Sequence, residues 1–155
     1  MGDKLVSRRK GRIIAFQALY SWDVSRLPME DLLSFSWLQK DDDIKAGTET
    51  EPTETAKEER TFASLIIAGT IEHIAEIDEM IKNHLSASWS MDRLNKVTLA
   101  ILRVSIYEIK FQPNVQAGII IDEAVNIAKD YGTDDSYKFI NAVLDKIGKN
   151  DQAAQ

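Results

Sequence analysis

Apolar residues recur at intervals of three and four positions through most of this chain, the spacing that places side chains on one face of an α-helix. Only 7 glycines and 3 prolines interrupt the 155 residues, too few for the many tight turns of an all-β protein. A chain of this length is typical of one domain with a single hydrophobic core. The sequence therefore predicts an all-α fold.

The apolar periodicity and the capping residues between the periodic segments predict where the helices lie. The expected helices are 7–24, 28–39, a long amphipathic helix over 58–85, a helix that Ser88 or Ser90 caps and that ends before Pro113, 116–132 and 134–148. Three consecutive isoleucines at 119–121 would also suit a buried strand. The later spacing of Ala124, Ile127 and Ala128 favours a helix there.

These helices fall into an N-terminal helical part, about 7–85, and a C-terminal helical part, about 88–148. Between 40 and 57 the sequence is polar, rich in acids and nearly without apolar residues, so we expect a flexible acidic surface loop. Its acids lack the offsets and the turn glycine of a Ca²⁺ loop, which argues against a metal site. Residues 149–155 are expected to form a disordered tail.

The sequence contains no recognisable catalytic or cofactor motif. There is no cysteine, and the two histidines, His73 and His84, are eleven residues apart, too far to bind one metal ion together. Glycine-rich phosphate loops and a nucleophile elbow are also missing from the sequence. Asp122 and Glu123 are expected in the first turns of a helix, where the helix dipole explains acidic residues. We therefore expect no catalytic residue, metal or cofactor, no membrane span, and a cytoplasmic location.

Charge is unevenly distributed along the chain. The formal net charge is −6, yet residues 1–12 carry five cations and one anion. Cations at a helix N-terminus oppose the helix dipole, so helix stability does not explain Arg8, Arg9, Lys10 and Arg12. Their side chains suit the phosphates of a nucleic-acid backbone, with a merely solvated basic terminus as the alternative.

A second distinctive segment joins the last two predicted helices. Gly132 ends the first of them and Asp134 or Asp135 caps the second, which puts Lys138 and Phe139 on its first turn. An aromatic ring beside a lysine at a helix start can stack on an unpaired base. A plain core position for Phe139 is equally compatible with the sequence.

The order and spacing of three separated stretches resemble those of the NusB family of bacterial transcription antitermination factors. The stretches are RRKGRIIAFQALYSWD, AILRVSIYEI and IIIDEAVNIAKDYGTDDSYKFINAVLDKI. The resemblance covers about residues 7–40 and 58–147. It implies a single RNA-binding domain over 1–150, with about seven helices in two small packed subdomains and no enzymatic activity.

The resemblance also implies partners and a site. Members of the family pair with NusE, which is also a ribosomal protein, and the pair binds the single-stranded box A element of nascent RNA within the RNA polymerase antitermination complex. This binding supports processive transcription of ribosomal RNA operons. Carried over position by position, the RNA-binding residues of this chain are Arg8, Arg9, Lys10, Arg12, Gln17, Tyr20, Asp135, Lys138 and Phe139.

The sequence departs from the family pattern at two positions and in the length of the acidic segment 40–57, which is longer than usual. It also leaves other functions open. Ala142 stands where many members have glycine, and Thr98 stands where an acidic residue is common. One alternative is an RNA-binding domain related to the N-terminal part of ribosomal-RNA cytosine methyltransferases; 155 residues leave no room for an S-adenosylmethionine domain. The other is a helical adaptor that does not bind RNA. The resemblance leaves open whether the free protein forms a homodimer that covers its basic residues.

Overall fold

The computed structural model describes residues 2–38, 53–85, 90–113 and 115–153, with the backbone alone for 2–7 and 150–153. Within these residues the regular structure consists of seven α-helices and one 3₁₀ turn, which confirms the predicted all-α fold. They are α1 (Gly2–Val24), α2 (Met29–Ser34), α3 (Glu54–Glu72), α4 (Ile74–Asn83), the 3₁₀ turn (Met91–Arg93), α5 (Lys96–Phe111), α6 (Ala117–Tyr131) and α7 (Ser136–Ala153). None of these described helices is apolar over a stretch long enough to cross a membrane.

Helix α5 is the centre of the fold. Every residue from Thr98 to Ile109 is buried, and α5 packs against α1, α3, α4, α6 and α7. A Cβ atom at Gly69 of α3 would overlap the ring of Tyr107, so only glycine allows α3 to approach α5 this closely. Because α1 and α6 both pack on α5, the central helix fixes the two elements that carry most of the candidate site.

The prediction of one long helix over 58–85 is wrong, because α3 and α4 are separate helices that meet at His73. The backbone of His73 leaves the helical conformation, with φ −103° and ψ 19°. Its ring stacks on Phe111 of α5 with the ring centroids 4.1 Å apart. Beyond the break, α4 buries Ile77 and Ile81 in the core. Packing against α5 therefore overrides a helical periodicity that no proline interrupts.

Three helices begin at clearly different residues than predicted. Helix α1 begins at Gly2 rather than at residue 7. Helix α3 begins at Glu54, inside the predicted loop, because Thr53 Oγ1 accepts a hydrogen bond from the Ala56 amide at 3.1 Å. The part of the loop at 40–52 lies outside the described residues. Helix α5 begins at Lys96, after an Asn95 side chain that accepts bonds from the first free amides of the helix. Of the two predicted caps, Ser90 precedes only the 3₁₀ turn, and Ser88 lies outside the described residues.

Two helices also end at other residues than predicted. Helix α2 stops at Ser34, since Phe35 adopts a left-handed φ of 59°. Helix α7 continues through Gly148 to Ala153, so its predicted end at 148 is wrong. A Cβ at Gly148 would lie 3.2 Å from Ala117 Cβ, which shows that this glycine allows close packing on α6 rather than ending a helix. The last two residues of the predicted tail lie outside the described residues.

Candidate RNA interface

The predicted cations lie on the first half of α1, in a segment that we call the basic end (residues 8–12). Arg8, Arg9 and Lys10 are exposed to solvent. We expected Arg12 to project beside them, but the structure places it in the interior. The basic end therefore presents three cations outward and one inward.

Arg12 is held by a carboxylate of the central helix. Its Nε and Nη2 atoms donate to the two carboxylate oxygens of Glu108 at 2.8 and 3.0 Å. The Arg12 and Glu108 side chains are only 10% and 4% exposed. A charge this deeply buried is tolerated because it is paired and hydrogen-bonded, so this pair joins α1 to α5 inside the protein.

Arg9 forms the same kind of pair at the surface, with Glu123 of α6. Its Nε and Nη2 atoms donate to the carboxylate at 2.9 and 3.0 Å, and the two side chains are 54% and 18% exposed. The hydrogen bonds from Arg9 hold the pKa of Glu123 below its usual range. We expected the helix dipole to explain this acid in the first turns of a helix. Glu123 is the seventh residue of α6, so ion pairing with Arg9 rather than the dipole explains it.

An aromatic ring of α3 supports the basic end. The guanidinium carbons of Arg8 and Arg12 lie 5.8 and 5.5 Å from the centroid of the Phe62 ring, within the range of cation–π attraction. A Cβ at Gly11 would lie 2.7 Å from Phe62 Cδ1, so glycine allows α1 to pack against this ring. Phe62 thereby limits where the side chain of Arg8 can reach.

A groove lies further along α1, where the predicted residues Gln17 and Tyr20 meet the end of α6. It has a volume of about 220 Å³ and is lined by Phe16, Gln17, Tyr20, Ser21, Val97 and Tyr131. Two of its aromatic rings are exposed, Tyr20 at 37% and Tyr131 at 46%. Tyr131 was not among the predicted site residues, although its position directly before the helix-ending Gly132 could have indicated it. The groove offers two exposed rings within one surface.

The basic end and this groove lie on one seam between α1 and α6. Arg9 binds Glu123 at one point, and the ring of Phe16 meets Tyr131 edge-on at another, with centroids 5.3 Å apart. The contact that lies nearer the start of α1 also lies nearer the start of α6, so the two helices run in the same direction here. Eight residues of α6 separate the two contacts, which corresponds to about 12 Å of helix.

The third predicted group lies at the start of α7. Asp135 and Lys138 are exposed and form an ion pair at 3.6 Å. Phe139 is half-buried and packs against the core. Its ring is therefore neither fully exposed nor fully part of the core. The nearby Tyr137 ring has Lys129 Nζ 5.0 Å and Lys138 Nζ 5.9 Å from its centroid. This group follows Tyr131 along the chain, beyond the groove end of the seam.

A second cavity, of about 300 Å³, lies between α1, α4 and the start of α5. Arg103 donates to both carboxylate oxygens of Asp78 there at 2.9 Å and lies 3.6 Å from Asp23. These are ion pairs between helices, with no exposed aromatic ring for a base.

Among the described residues, no group of three histidine or acidic side chains is placed to hold a metal ion.

Comparisons with known proteins identify relatives over nearly the whole chain. The model of the NusB family matches residues 9–149. A transcription antitermination protein NusB of Treponema denticola is 51% identical over 142 residues, which are 92% of this chain and 96% of that protein. Its counterpart in Treponema pallidum is 42% identical over 145 residues, 94% of each chain.

Solved structures show the same fold. T. maritima NusB superposes with a TM-score of 0.74 at 34% identity, and the match covers 92% of this chain and 90% of that one. A chain from a crystal structure of the antitermination factors NusB and NusE with double-stranded RNA gives a TM-score of 0.74 at 28% identity, covering 93% and 97%. The protein described here therefore belongs to the NusB family of transcription antitermination proteins.

Proposed function

We propose that this protein binds the box A element of nascent RNA together with NusE, and so supports processive transcription of ribosomal RNA operons. The observation that carries the proposal is the α1–α6 seam, which combines exposed cations at one end with exposed aromatic rings at the other. Cations bind backbone phosphates and aromatic rings stack on unpaired bases, so the seam has both elements of a single-strand site. A related chain has been solved in a complex of NusB and NusE with double-stranded RNA, which supports RNA and NusE as the partners.

The phosphate contacts are assigned to Arg8, Arg9 and Lys10, whose side chains are exposed. Arg12 is assigned a different role, because its guanidinium is committed to Glu108 inside the protein. It anchors the basic end to α5 and so holds the other three cations in place. Of the four cations of the basic end, three are thus assigned to RNA contacts and one, Arg12, to anchoring α1 on α5.

The base contacts are assigned to the groove and to the start of α7. Gln17 and Tyr20 line the groove, and its Tyr131 ring adds a stacking surface that the family resemblance did not supply. Asp135, Lys138 and the exposed part of Phe139 would extend the path of the RNA past the end of α6. An RNA of several nucleotides would be needed to span the seam and this extension.

NusE is assigned mainly to the C-terminal helical part of the protein, as the family resemblance implies. A basic ribosomal protein there would also offset the acidic charge of this chain, which otherwise repels RNA.

The same proposal covers the finer expectations. The protein acts in the cytoplasm, within the RNA polymerase antitermination complex, through binding rather than catalysis. A homodimer of the free protein would compete with RNA if it covered the basic end. No specific observation favours the methyltransferase-related alternative or the adaptor alternative.

The test is a binding titration with three RNAs, each in the presence and absence of NusE: single-stranded box A, a scrambled strand of equal length, and box A annealed to its complement. We expect the tightest binding for single-stranded box A with NusE. Equal affinity for box A and the scrambled strand would favour the adaptor alternative. Preference for the duplex would contradict the assignment of unpaired bases to the groove.

A further inference from the structure

The contact between Arg9 and Glu123 has a consequence for how the basic end discriminates between RNAs. Of the five N–H donors of a guanidinium, two bind the Glu123 carboxylate through Nε and Nη2. Three donors remain, two of which lie on the Nη1–Nη2 edge, and the side chain is 54% exposed. Arg9 therefore offers a phosphate one free edge in one fixed orientation.

The pair also changes the electrostatics of the basic end. The carboxylate of Glu123 lies in direct contact with the guanidinium, and its pKa is lowered, so it is charged at neutral pH. An adjacent negative charge offsets much of the attraction that Arg9 would exert on a distant phosphate. Only a phosphate that reaches the free edge gains hydrogen bonds strong enough to make the contact favourable.

We propose that Glu123 is a specificity-determining positioning residue, which orients Arg9 for one phosphate of the correctly bound RNA and prevents Arg9 from binding polyanions indiscriminately. The inference rests on the proposed function, since it assumes that the basic end binds RNA. Arg8 and Lys10 lie in the same exposed segment without a carboxylate partner among the described residues. They supply the attraction that does not depend on RNA sequence.

The proposed role of Glu123 differs from that of a simple tether between α1 and α6. A tether would stabilise the fold and leave RNA selection unchanged. A specificity device instead changes the ratio of the affinities for box A and scrambled RNA. That ratio is the quantity to measure.

The experiment compares wild-type protein with Glu123→Gln, in the presence of NusE, against single-stranded box A and scrambled RNA between 50 and 200 mM salt. Glutamine keeps the shape of the side chain and removes its charge. Freed Arg9 should add about one phosphate contact to scrambled RNA, which steepens its salt dependence by about 0.7 and tightens its binding about threefold at low salt. Box A, which already uses Arg9, should gain less, so we expect the affinity ratio to fall about threefold.

Asp122→Asn is the matched control. It removes one negative charge from the neighbouring position of α6, where the side chain is exposed and makes no contact with Arg9. General relief of charge repulsion predicts equal effects for the two variants and on the two RNAs. Our inference predicts that Asp122→Asn leaves the ratio unchanged.

The double variant Arg9→Ala, Glu123→Gln isolates the mechanism, because Glu123 should have no effect on the ratio once Arg9 is gone. A ratio that stays constant in Glu123→Gln, or that falls equally without Arg9, would overturn the inference. Wild-type protein that does not prefer box A would instead contradict the proposed function, and the inference with it. Circular dichroism of each variant ensures that the comparison concerns folded protein.

Discussion

Two arginines of α1, three residues apart, form nearly identical pairs with carboxylates in very different surroundings. Arg12 binds Glu108 inside the protein and Arg9 binds Glu123 at its surface, each through Nε and Nη2 at 2.8 to 3.0 Å. The side chain of Arg12 is 10% exposed and that of Arg9 is 54% exposed. Burial, and not the geometry of the pair, therefore separates an arginine that serves the fold from one that stays accessible to a ligand.

The physical reason is the cost of removing charge from water. Breaking a buried pair leaves an uncompensated charge and costs about 3–5 kcal/mol of folding stability. An exposed pair is screened by solvent and contributes about 0–1 kcal/mol. Neighbouring arginines in one basic run can thus differ severalfold in their importance to stability.

The largest effect is expected for Glu108→Ala, which leaves Arg12 charged and unpaired in the interior. We expect a loss of about 3–5 kcal/mol in the free energy of unfolding, measured by urea denaturation. The remaining folded protein should also bind RNA more weakly, because Arg12 no longer anchors the basic end to α5.

The control replaces both partners, as Arg12→Met with Glu108→Leu. Apolar side chains of similar volume can substitute for a buried pair at little cost, so most of the lost stability should return. If the double replacement is as unstable as Glu108→Ala, the loss reflects packing and not the unpaired charge.

Phe139 tests a position between the two extremes. Because its ring is half-buried, Phe139→Ala should cost about 1–3 kcal/mol of RNA affinity through lost stacking and about 2 kcal/mol of stability, less than a fully buried ring. Titration with RNA and urea denaturation of the same variant separate the two losses.

Phe139→Leu is the matched variant, since it retains apolar volume and lacks the aromatic face. We expect it to recover most of the stability and little of the RNA affinity. Full recovery of RNA affinity would assign Phe139 to the core alone.

Arg9→Ala should have a smaller effect on stability, under about 1 kcal/mol, because the pair is exposed. It should also flatten the salt dependence of RNA binding by about 0.7, the value of one phosphate contact on a single strand. Lys82→Ala, a charge-matched change on α4, should leave that slope unaltered. A large loss of stability in Arg9→Ala would show that the exposed pair resembles the buried one.

The smallest expected effect is the pH dependence of the exposed pair. The folded state lowers the pKa of Glu123, so it binds fewer protons than the unfolded chain in mildly acidic solution. The pair therefore contributes its stability above the unfolded pKa of about 4.3, and loses it as pH falls through the lower folded value.

Unfolding of wild type and Glu123→Gln between pH 7 and pH 2 measures this contribution. The difference in stability should stay under about 1 kcal/mol and should shrink as the pH falls. A difference that is constant over this range would mean that the glutamate stabilises through packing rather than charge.

Much of the fold could be predicted from the sequence because helix formation leaves a local signal. The periodicity of apolar residues located the helical segments, and Asn95 or Thr53 could have been recognised as caps. The break at His73 could not, since it follows from stacking on Phe111, which is 38 positions away in the chain. Local patterns do not report such contacts.

The sequence indicated which residue types form the candidate site, but much less about how their side chains are placed. A run of cations indicates a polyanion, but whether each cation faces solvent depends on partners from distant helices. Glu108 was the available signal for Arg12, because it shares a helix face with apolar residues and needs a buried partner. Glu123 gave no such signal, and an acid on α6 pairs with Arg9 only because both helices pack on α5.

The burial of residues 98–109 of α5 also bears on the entropy of binding. We expect the amides of these residues to exchange with solvent mainly when the whole protein opens. Because α1 and α6 rest on this helix, the surface between them needs little ordering when a ligand arrives. A preorganised surface loses less conformational freedom on association than one that must fold around its target.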